Sequence, residues 1–164
     1  MRPMGDEAFE RLYAEHAQAL YAFLSYRTGD RVLAEDLLAD TFERALRARR
    51  RFDRRKASEK TWLYAIALNG LRDQLRRRAS EGRALQRVAV AVSAGSSGGI
   101  EQVADRDLVG RGLSILSEEE REAIALRFGA ELTLPEIAKL TGQPLSTVEG
   151  RTYRALRKLR EAME

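Results

Sequence analysis

Apolar residues recur at intervals of three and four along most of this chain, and that spacing predicts helices. One apolar stripe covers residues 9–24, a second covers 33–46, and a third helix runs from about 58 to 78. The Thr-Gly-Asp between the first two stripes offers Asp30 as the N-cap of the second helix. The valine-rich run 88–92 is the only strand-like segment, and no neighbouring segment would pair with it. The pattern therefore predicts an all-α fold.

The last fifty residues contain three matches to the capping box, in which a Ser or Thr N-cap and a Glu three residues later bond each other's backbone N–H. The matches lie at 117–120, 133–136 and 146–149, and the turn Thr-Gly-Gln-Pro at 141–144 separates the last two. Two helices around such a turn predict a helix-turn-helix. Its inward positions would be Ile137, Ala138, Leu140, Val148, Thr152, Ala155, Leu156 and Leu159.

Residues 80–111 lack a clear helical period and include Ala-Gly-Ser-Ser-Gly-Gly at 94–99, a composition typical of a flexible linker. A mobile loop inside one domain is the alternative, but about thirty residues is long for such a loop. We therefore predict two small helical domains, 1–79 and 112–164, joined by a linker over 80–111.

Charge is distributed unevenly along the 164 residues, whose formal net charge is +4. Residues 1–43 hold nine acidic side chains against four arginines, whereas 44–56 hold eight basic side chains and one acid. A second basic cluster closes the chain. This distribution indicates two partners, one of them anionic and the other able to accept acidic side chains, and nucleic acid is the natural anionic partner.

The sequence excludes several kinds of chemistry. Cysteine is absent and His16 is the single histidine, so a disulfide framework, thiolate chemistry and a histidine-based metal site are ruled out. No glycine-rich phosphate loop or cluster of metal-ligand residues occurs, so we expect neither an enzyme nor a bound cofactor. Because the N-terminus lacks an apolar signal region and no apolar run is long enough to cross a membrane, we expect a cytoplasmic protein.

The second helix of a helix-turn-helix places its N-terminal residues at base edges in the major groove. The outward residues would be Glu149, Gly150, Tyr153, Arg154 and Arg157. Arg154 is the natural base reader, because a guanidinium can bond guanine at two positions. Arg151, Arg157 and Lys158 would neutralise phosphates. The alternative is a basic helix face that is merely solvated.

Glu149 is an acid near the tip of this basic helix, and two roles are open to it. As the N3 residue of a capping box begun by Ser146, it would bond the Ser146 backbone N–H. As a base reader, it would accept from the N4 amine of cytosine. We favour capping as its main role, with readout open to the remaining carboxylate oxygen.

Two further surfaces stand out in the N-terminal part. The segment 60–78 aligns Asn69, Arg72, Asp73, Arg76 and Arg77 on one polar stripe, and such groups suit unstacked bases and a phosphate backbone. Trp62, in the same segment, is better explained as a core anchor than as a stacking platform. In the preceding helix, Asp36, Asp40 and Glu43 share one face. That face is either solvated or a docking surface for a basic partner.

Three segments in this order resemble the conserved segments of bacterial sigma factors: AEDLLADTFERAL from Ala34, TWLYAIALNGLRDQLRRR from Thr61, and the stretch from LSEEEREAIALRFG to TVEGRTYRALRKLR. Their compactness resembles the extracytoplasmic-function (ECF) type, which keeps two domains called sigma2 and sigma4. The resemblance implies a transcription initiation factor that binds core RNA polymerase and directs it to promoter DNA. It also implies regulation by an anti-sigma factor.

The resemblance also implies roles for individual residues. The polymerase docking helix would present Asp36, Leu37, Asp40, Phe42 and Glu43. The opened −10 element would meet Lys60, Trp62, Asn69, Arg72, Asp73, Arg76 and Arg77. The −35 element would be read as duplex through Thr147, Glu149, Gly150, Arg151, Tyr153, Arg154, Arg157 and Lys158.

This chain departs from the family pattern at two places. Glu149 and Gly150 stand where relatives commonly have a basic residue and a serine, so promoter preference does not carry over. The predicted linker balances four acids with four arginines over 79–112, whereas family linkers are often acidic. The competing interpretation is a conventional helix-turn-helix regulator that acts without being a polymerase subunit.

Overall fold

The computed structural model describes residues 2–92 and 114–164, and within 83–92 it describes the backbone alone. The chain divides into two compact units, 1–91 and 92–164. Every regular element in the described ranges is helical. The predicted all-α fold is confirmed.

The first unit contains three helices, α1 (Asp6–Thr28), α2 (Arg31–Ala48) and α3 (Glu59–Val92), with a short 3₁₀ turn at Arg49–Arg51. Gly29 ends α1 in the left-handed conformation, with φ of 65°, which a glycine adopts without steric cost. Asp30 then caps α2 by accepting a hydrogen bond from the Leu33 backbone N–H at 3.1 Å. The predicted N-cap is confirmed.

The core of the first unit is formed by leucines and aromatic rings. Phe42 of α2 packs edge-on against Tyr13 of α1, with ring centroids 4.7 Å apart. Phe23 of α1 meets Tyr64 of α3 at 5.6 Å, also edge-on. The fully buried leucines are Leu12, Leu20, Leu24, Leu63, Leu68 and Leu71. Edge-to-face rings stabilise such contacts beyond the apolar area they bury, and here they join α1 to both other helices.

Helix α3 extends well beyond Arg78, where the sequence pattern predicted its end. It continues to Val92 and so includes the valine-rich run 88–92 in helical form. Residues 79–92 contain one glycine, Gly82, and no proline, and a single helical glycine costs about 1 kcal/mol, too little by itself to end a helix. The rest of the predicted linker, 93–111, lies outside the described residues.

The second unit contains α4 (Glu118–Ile124), a π turn at Ala125–Gly129, α5 (Leu134–Thr141) and α6 (Leu145–Met163). Both α4 and α5 begin with complete capping boxes, Ser117 with Glu120 and Thr133 with Glu136. Gly142, with φ of 67°, ends α5, and α6 begins three residues later, at Leu145. This arrangement is the predicted helix-turn-helix.

The third predicted capping box, Ser146 with Glu149, does not form. Helix α6 begins two residues earlier than predicted, at Leu145, with Pro144 as its N-cap and no capping side chain. The Pro144 carbonyl accepts from the backbone N–H groups of Thr147 at 3.1 Å and Val148 at 3.2 Å. Ser146 therefore lies inside the first turn, and the prediction that Glu149 caps this helix was wrong.

The described ranges contain neither a candidate membrane-spanning helix nor a candidate metal-binding cluster. No helix there is both long and apolar enough to span a bilayer. No group of three or more histidine and carboxylate side chains there could hold a metal ion.

Candidate nucleic-acid interface

Helix α6 turns one face to the core of the second unit and the other to solvent. Val148, Thr152 and Ala155 are buried, with at most 6% of each exposed. The opposite face exposes Glu149, Tyr153, Arg154 and Arg157, in the arrangement that the spacing predicted. Leu156, predicted to point inward, is 42% exposed because it lies at the border of the buried stripe.

The exposed face of α6 carries polar groups that no described residue binds. Within the described parts of the chain, Glu149, Tyr153 and Arg157 make no hydrogen bond or ion pair. Tyr153 is 69% exposed, so both its ring and its hydroxyl are accessible from solvent. These groups are therefore available to a ligand at the end of α6 that a helix-turn-helix inserts into the major groove.

Two of the cations predicted to contact DNA, Arg151 and Lys158, are bound to side chains of their own unit. Arg151 Nη1 donates to Gln143 Oε1 at 2.5 Å, and its Nη2 lies 3.6 Å from Glu119 Oε2. Lys158 Nζ donates to both oxygens of Glu120, at 2.9 and 3.0 Å. Both side chains therefore tie α6 to neighbouring elements, a role that the charge pattern alone did not indicate.

Glu120 is the acidic residue that binds Lys158. Its side chain is 9% exposed, and it also accepts from the Ser117 backbone N–H at 3.1 Å as part of the capping box. The hydrogen bonds from Lys158, with that backbone donor, hold the pKa of Glu120 below its usual value of 4.5 despite burial. The carboxylate is therefore ionised at neutral pH.

Apolar side chains also line the surface beside this face, and the charge-based sequence reasoning missed them. A shallow concavity next to α6 is lined by Leu134, Ser146, Gly150, Tyr153 and Leu156, together with Glu149 and Thr152. Thr147 lies half-buried in the first turn. Apolar groups at this position suit contact with thymine methyl groups.

In the first unit, the predicted polar stripe of α3 is on the surface. Asn69 and Arg77 are exposed and make no hydrogen bond or ion pair within the described ranges. Asp73 accepts from Arg76 at 2.5 Å, so one acid and one base of the stripe neutralise each other. Arg72, at the border of the stripe, is half-buried.

Trp62 is half-buried, and its ring packs on Phe52 with centroids 4.9 Å apart. The anchoring role favoured for this ring agrees with that contact. Lys60 lies half-buried in the first turn of α3. The preceding loop, 52–58, is thus fixed to the helix through an aromatic pair.

A cleft that the sequence did not indicate lies between this loop and the N-terminal segment. Its basic lining comprises Arg2, Arg11, Arg54 and Arg55, and its acidic lining comprises Glu7 and Asp53. Arg54 is paired with Glu59 at 3.1 Å. The other three arginines make no ion pair in the described part of the chain. The basic run 44–56 was the sequence signal for half of this cleft.

On the acidic face of α2, two of the three carboxylates are paired with arginines of the same helix. Asp36 is exposed and has no partner in the described ranges, whereas Asp40 pairs with Arg44 at 3.0 Å and Glu43 with Arg47 at 2.6 Å. The two apolar residues proposed for docking are core residues: Leu37 is 7% exposed and Phe42 is 6% exposed. They hold the helix in place and are not themselves surface groups.

Comparison with known proteins gives this geometry a context. Residues 12–81 match the family model for Sigma-70 region 2, and residues 112–161 match that for Sigma-70, region 4. The chain is 31% identical over 162 residues to the RNA polymerase sigma factor CarQ of Myxococcus xanthus, covering 99% of this chain and 92% of that one. It is 30% identical over 173 residues to the ECF RNA polymerase sigma factor SigX of Bacillus subtilis, covering 97% and 85%.

A third relative is longer than this chain. Identity to the ECF RNA polymerase sigma factor BldN of Streptomyces coelicolor is 31% over 160 residues, which is 93% of this chain but 59% of that protein. Among solved structures, the sigma factor RpoE of Bartonella quintana, in complex with the anti-sigma factor NepR, is similar at a TM-score of 0.74 and 26% identity, covering 96% of this chain and 97% of that one. CnrH in complex with the cytosolic domain of CnrY is similar at a TM-score of 0.71 and 26% identity, covering 97% and 89%.

The two region models fall in the two compact units, and several relatives at 30% identity or more match nearly the whole chain. The helix-turn-helix with its solvent-facing polar residues lies within the region 4 match, and the polar stripe of α3 lies within the region 2 match. This chain belongs to the ECF RNA polymerase sigma factors.

Proposed function

We propose that this sigma factor joins core RNA polymerase and recognises promoters at two places, the −35 element with its second unit and the opened −10 element with its first. The observation that carries this proposal is the exposed face of α6, where unpartnered polar side chains stand opposite a fully packed core stripe. A face organised in this way on a helix-turn-helix is what major-groove binding requires.

For the −35 element, we assign base contacts to Glu149, Tyr153 and Arg154. Arg154 would bond guanine, and Glu149, now without a capping role, would accept from cytosine N4. Arg157 is exposed and unpaired within the described residues, so it would contact phosphate. Arg151 and Lys158 support the site by fixing α6.

For the −10 element, we assign the exposed stripe of α3 to the single strand. Asn69 would hold an unstacked base, and Arg72, Arg76 and Arg77 would follow the backbone, with Asp73 orienting Arg76 through their ion pair. Lys60 would add charge at the start of the helix, and Trp62 would act through the loop that it anchors. The arginine-lined cleft beside that loop extends the positive surface toward the N-terminus.

For polymerase docking, we assign the carboxylates of Asp36, Asp40 and Glu43. Asp36 is exposed and would accept a basic partner. Asp40 and Glu43 each pair with an arginine one turn later on the same helix. Because such exposed ion pairs contribute little to stability, both carboxylates could exchange their arginine for a basic group of the polymerase. Leu37 and Phe42 would fix the helix from beneath.

The partners we propose are core RNA polymerase, promoter DNA and an anti-sigma factor, with the cytoplasm as the compartment in which they meet. Support for the anti-sigma factor comes from the similar structures, since RpoE was solved with NepR, an anti-sigma factor, and CnrH with the cytosolic domain of CnrY.

The test of the overall function is run-off transcription with purified bacterial core polymerase on a library of promoter fragments. We expect the protein to bind the core and to support initiation at a defined subset of fragments. Specific binding to duplex DNA without core binding would instead indicate a conventional helix-turn-helix regulator.

The −35 assignment is tested with Arg154→Ala, which should reduce discrimination at one base pair by about 1–3 kcal/mol. Arg160→Ala is the matched control, because Arg160 is exposed on the same helix but lies further from its N-terminus. Equal loss on all sequences would reduce Arg154 to a phosphate contact.

The docking assignment is tested with Asp36→Ala combined with Asp40→Ala, and with Glu35→Ala as the control from the same helix. The double variant should bind core polymerase more weakly than the wild type. Its free energy of unfolding should stay within about 0.5 kcal/mol of the wild-type value, as for other exposed substitutions. Unchanged core affinity would reject the acidic face as a docking surface.

A further inference from the structure

Gly150 lies on the exposed face of α6, and its backbone does not require glycine. The positive-φ glycines in the described ranges are Gly29 and Gly142, and Gly150 has ordinary helical geometry. Glycine is the weakest helix former apart from proline, so a helical interior is an unfavourable place for it. Its presence therefore calls for a reason in the space around its Cα.

That space is occupied by the guanidinium of Arg154. A Cβ placed on Gly150 would lie 3.1 Å from Arg154 Nη1, 3.8 Å from Cζ and 3.9 Å from Nη2. These three nearest atoms all belong to one guanidinium group. The closest distance is shorter than an ordinary van der Waals contact, so a side chain at position 150 would require the guanidinium to shift by a few tenths of an ångström.

Helix geometry explains how the two residues meet. Long side chains on a helix lean toward its N-terminus and cover the residue four positions earlier. Four residues correspond to about 6 Å along the axis, so the charge of Arg154 is carried about one turn toward the N-terminal end of α6. That end is the part of the helix that reads bases in a helix-turn-helix.

We propose that Gly150 is a positioning residue for Arg154: the absent Cβ forms a seat for the guanidinium, and the two residues read one base pair as a unit. This inference rests on the proposed function, in which Arg154 contacts the −35 element. The ligand of the seated guanidinium is a guanine, bonded through O6 and N7 in the major groove. A Cβ at position 150 shifts the guanidinium by a few tenths of an ångström and thereby weakens the paired hydrogen bonds to that guanine.

The experiment is a double-mutant cycle in reconstituted holoenzyme, with the full-length protein, core polymerase and a promoter library randomised over the −35 element. The variants are Gly150→Ala, Arg154→Ala and the double variant, and transcript sequencing gives the base preference at each position. Gly82→Ala is the matched control, because Gly82 is also helical but a Cβ there would meet nothing within 4 Å. Gly150→Ser repeats the test with a second side chain.

We expect Arg154→Ala to lower the preference at one base pair by about fivefold or more, the loss of a bidentate contact. Gly150→Ala should lower the preference at the same base pair, and it should have no further effect when Arg154 is already alanine. The melting temperature should not fall, because alanine favours the helix. If Gly150 had only a structural role, Gly150→Ala would change the melting temperature and leave the base preference unchanged.

The possible outcomes distinguish failure of the Gly150 inference from failure of the −35 assignment of Arg154. If Arg154→Ala changes base preference but Gly150→Ala does not, Gly150 does not position Arg154, and the −35 assignment of Arg154 stands. If Gly150→Ala alters preference equally with and without Arg154, Gly150 acts by direct contact with DNA and the inference is overturned. If Arg154→Ala changes no base preference, the proposed function fails at this residue, and the inference fails with it.

Discussion

Replacing Lys158 by alanine is expected to destabilise the second unit, because Lys158 joins α6 to the start of α4. Its Nζ donates to both oxygens of Glu120, at 2.9 and 3.0 Å. The Glu120 side chain is 9% exposed, whereas that of Lys158 is 43% exposed. Removal of the lysine therefore leaves a nearly buried carboxylate with the Ser117 backbone N–H as its remaining donor.

The size of the destabilisation in Lys158→Ala follows from the exposed fractions of the Glu120 and Lys158 side chains. A hydrogen bond to a charged group contributes roughly 1.5–3 kcal/mol, and breaking a fully buried ion pair costs about 3–5 kcal/mol. Because the lysine end of this pair is well solvated, the lower range applies, reduced further by screening. We expect Lys158→Ala to lower the free energy of unfolding of the second unit by about 1–2 kcal/mol.

Amide hydrogen exchange is the suitable assay, since the two compact units can unfold separately and a single melting curve would combine them. The informative amides are those of Ile124 and Ala155, which lie in the core joining α4 to α6. Their exchange should accelerate by about 5- to 30-fold in Lys158→Ala. Arg157→Ala is the control, because the neighbouring Arg157 is exposed and makes no ion pair in the described ranges.

The pH dependence supplies a second check. Because the folded-state pKa of Glu120 is lowered, mainly by the hydrogen bonds from Lys158, its contribution to stability is present above about pH 4.5 and is lost as the pH falls through the folded value. The difference between wild type and Lys158→Ala should shrink over that acidic range. Equal exchange in the Lys158 and Arg157 variants at neutral pH, or a difference that persists in acid, would refute the reasoning.

Three further predictions concern single side chains. Glu131 has φ of 56° without being glycine, so Glu131→Gly should stabilise the second unit by about 0.5–1 kcal/mol in the same exchange experiment. Glu149→Gln should leave stability unchanged, since Glu149 caps nothing, and should alter base preference at one −35 position in the promoter library; lost stability would restore the capping role. Burial lowers the pKa of His16 below 6.5, so the stability of the first unit should fall as the pH drops below 6.5, and His16→Gln should remove that part of the fall in a melting series from pH 7.5 to 5.

Sequence reasoning predicted the helices from their apolar spacing, and it predicted the buried and exposed faces of α6 well. It predicted the first residue of a helix less accurately where the same pattern allowed two different starts. Ser117 and Thr133 form capping boxes, whereas Ser146 does not, although all three have a Glu three residues later. Before Ser146 stands Pro144, whose carbonyl accepts the first N–H groups of α6, and the helix therefore starts before the serine. A motif gives residue types at a spacing, whereas the start of a helix depends on which backbone carbonyl closes its first turn.

The cations of α6 show a second limit and its physical cause. In the sequence Arg151, Arg154, Arg157 and Lys158 are equivalent charges, but Arg151 and Lys158 pair with the acidic first turn of α4, whose Glu119 and Glu120 lie more than thirty residues away. The signal that could have identified them is their position: they lie four residues before and three residues after the buried Ala155, and so flank the packed stripe. With one phosphate contact proposed for α6, from Arg157, rather than the three predicted from the sequence, we expect the salt dependence of −35 binding by this helix to have a slope of about 0.9 rather than about 2.7.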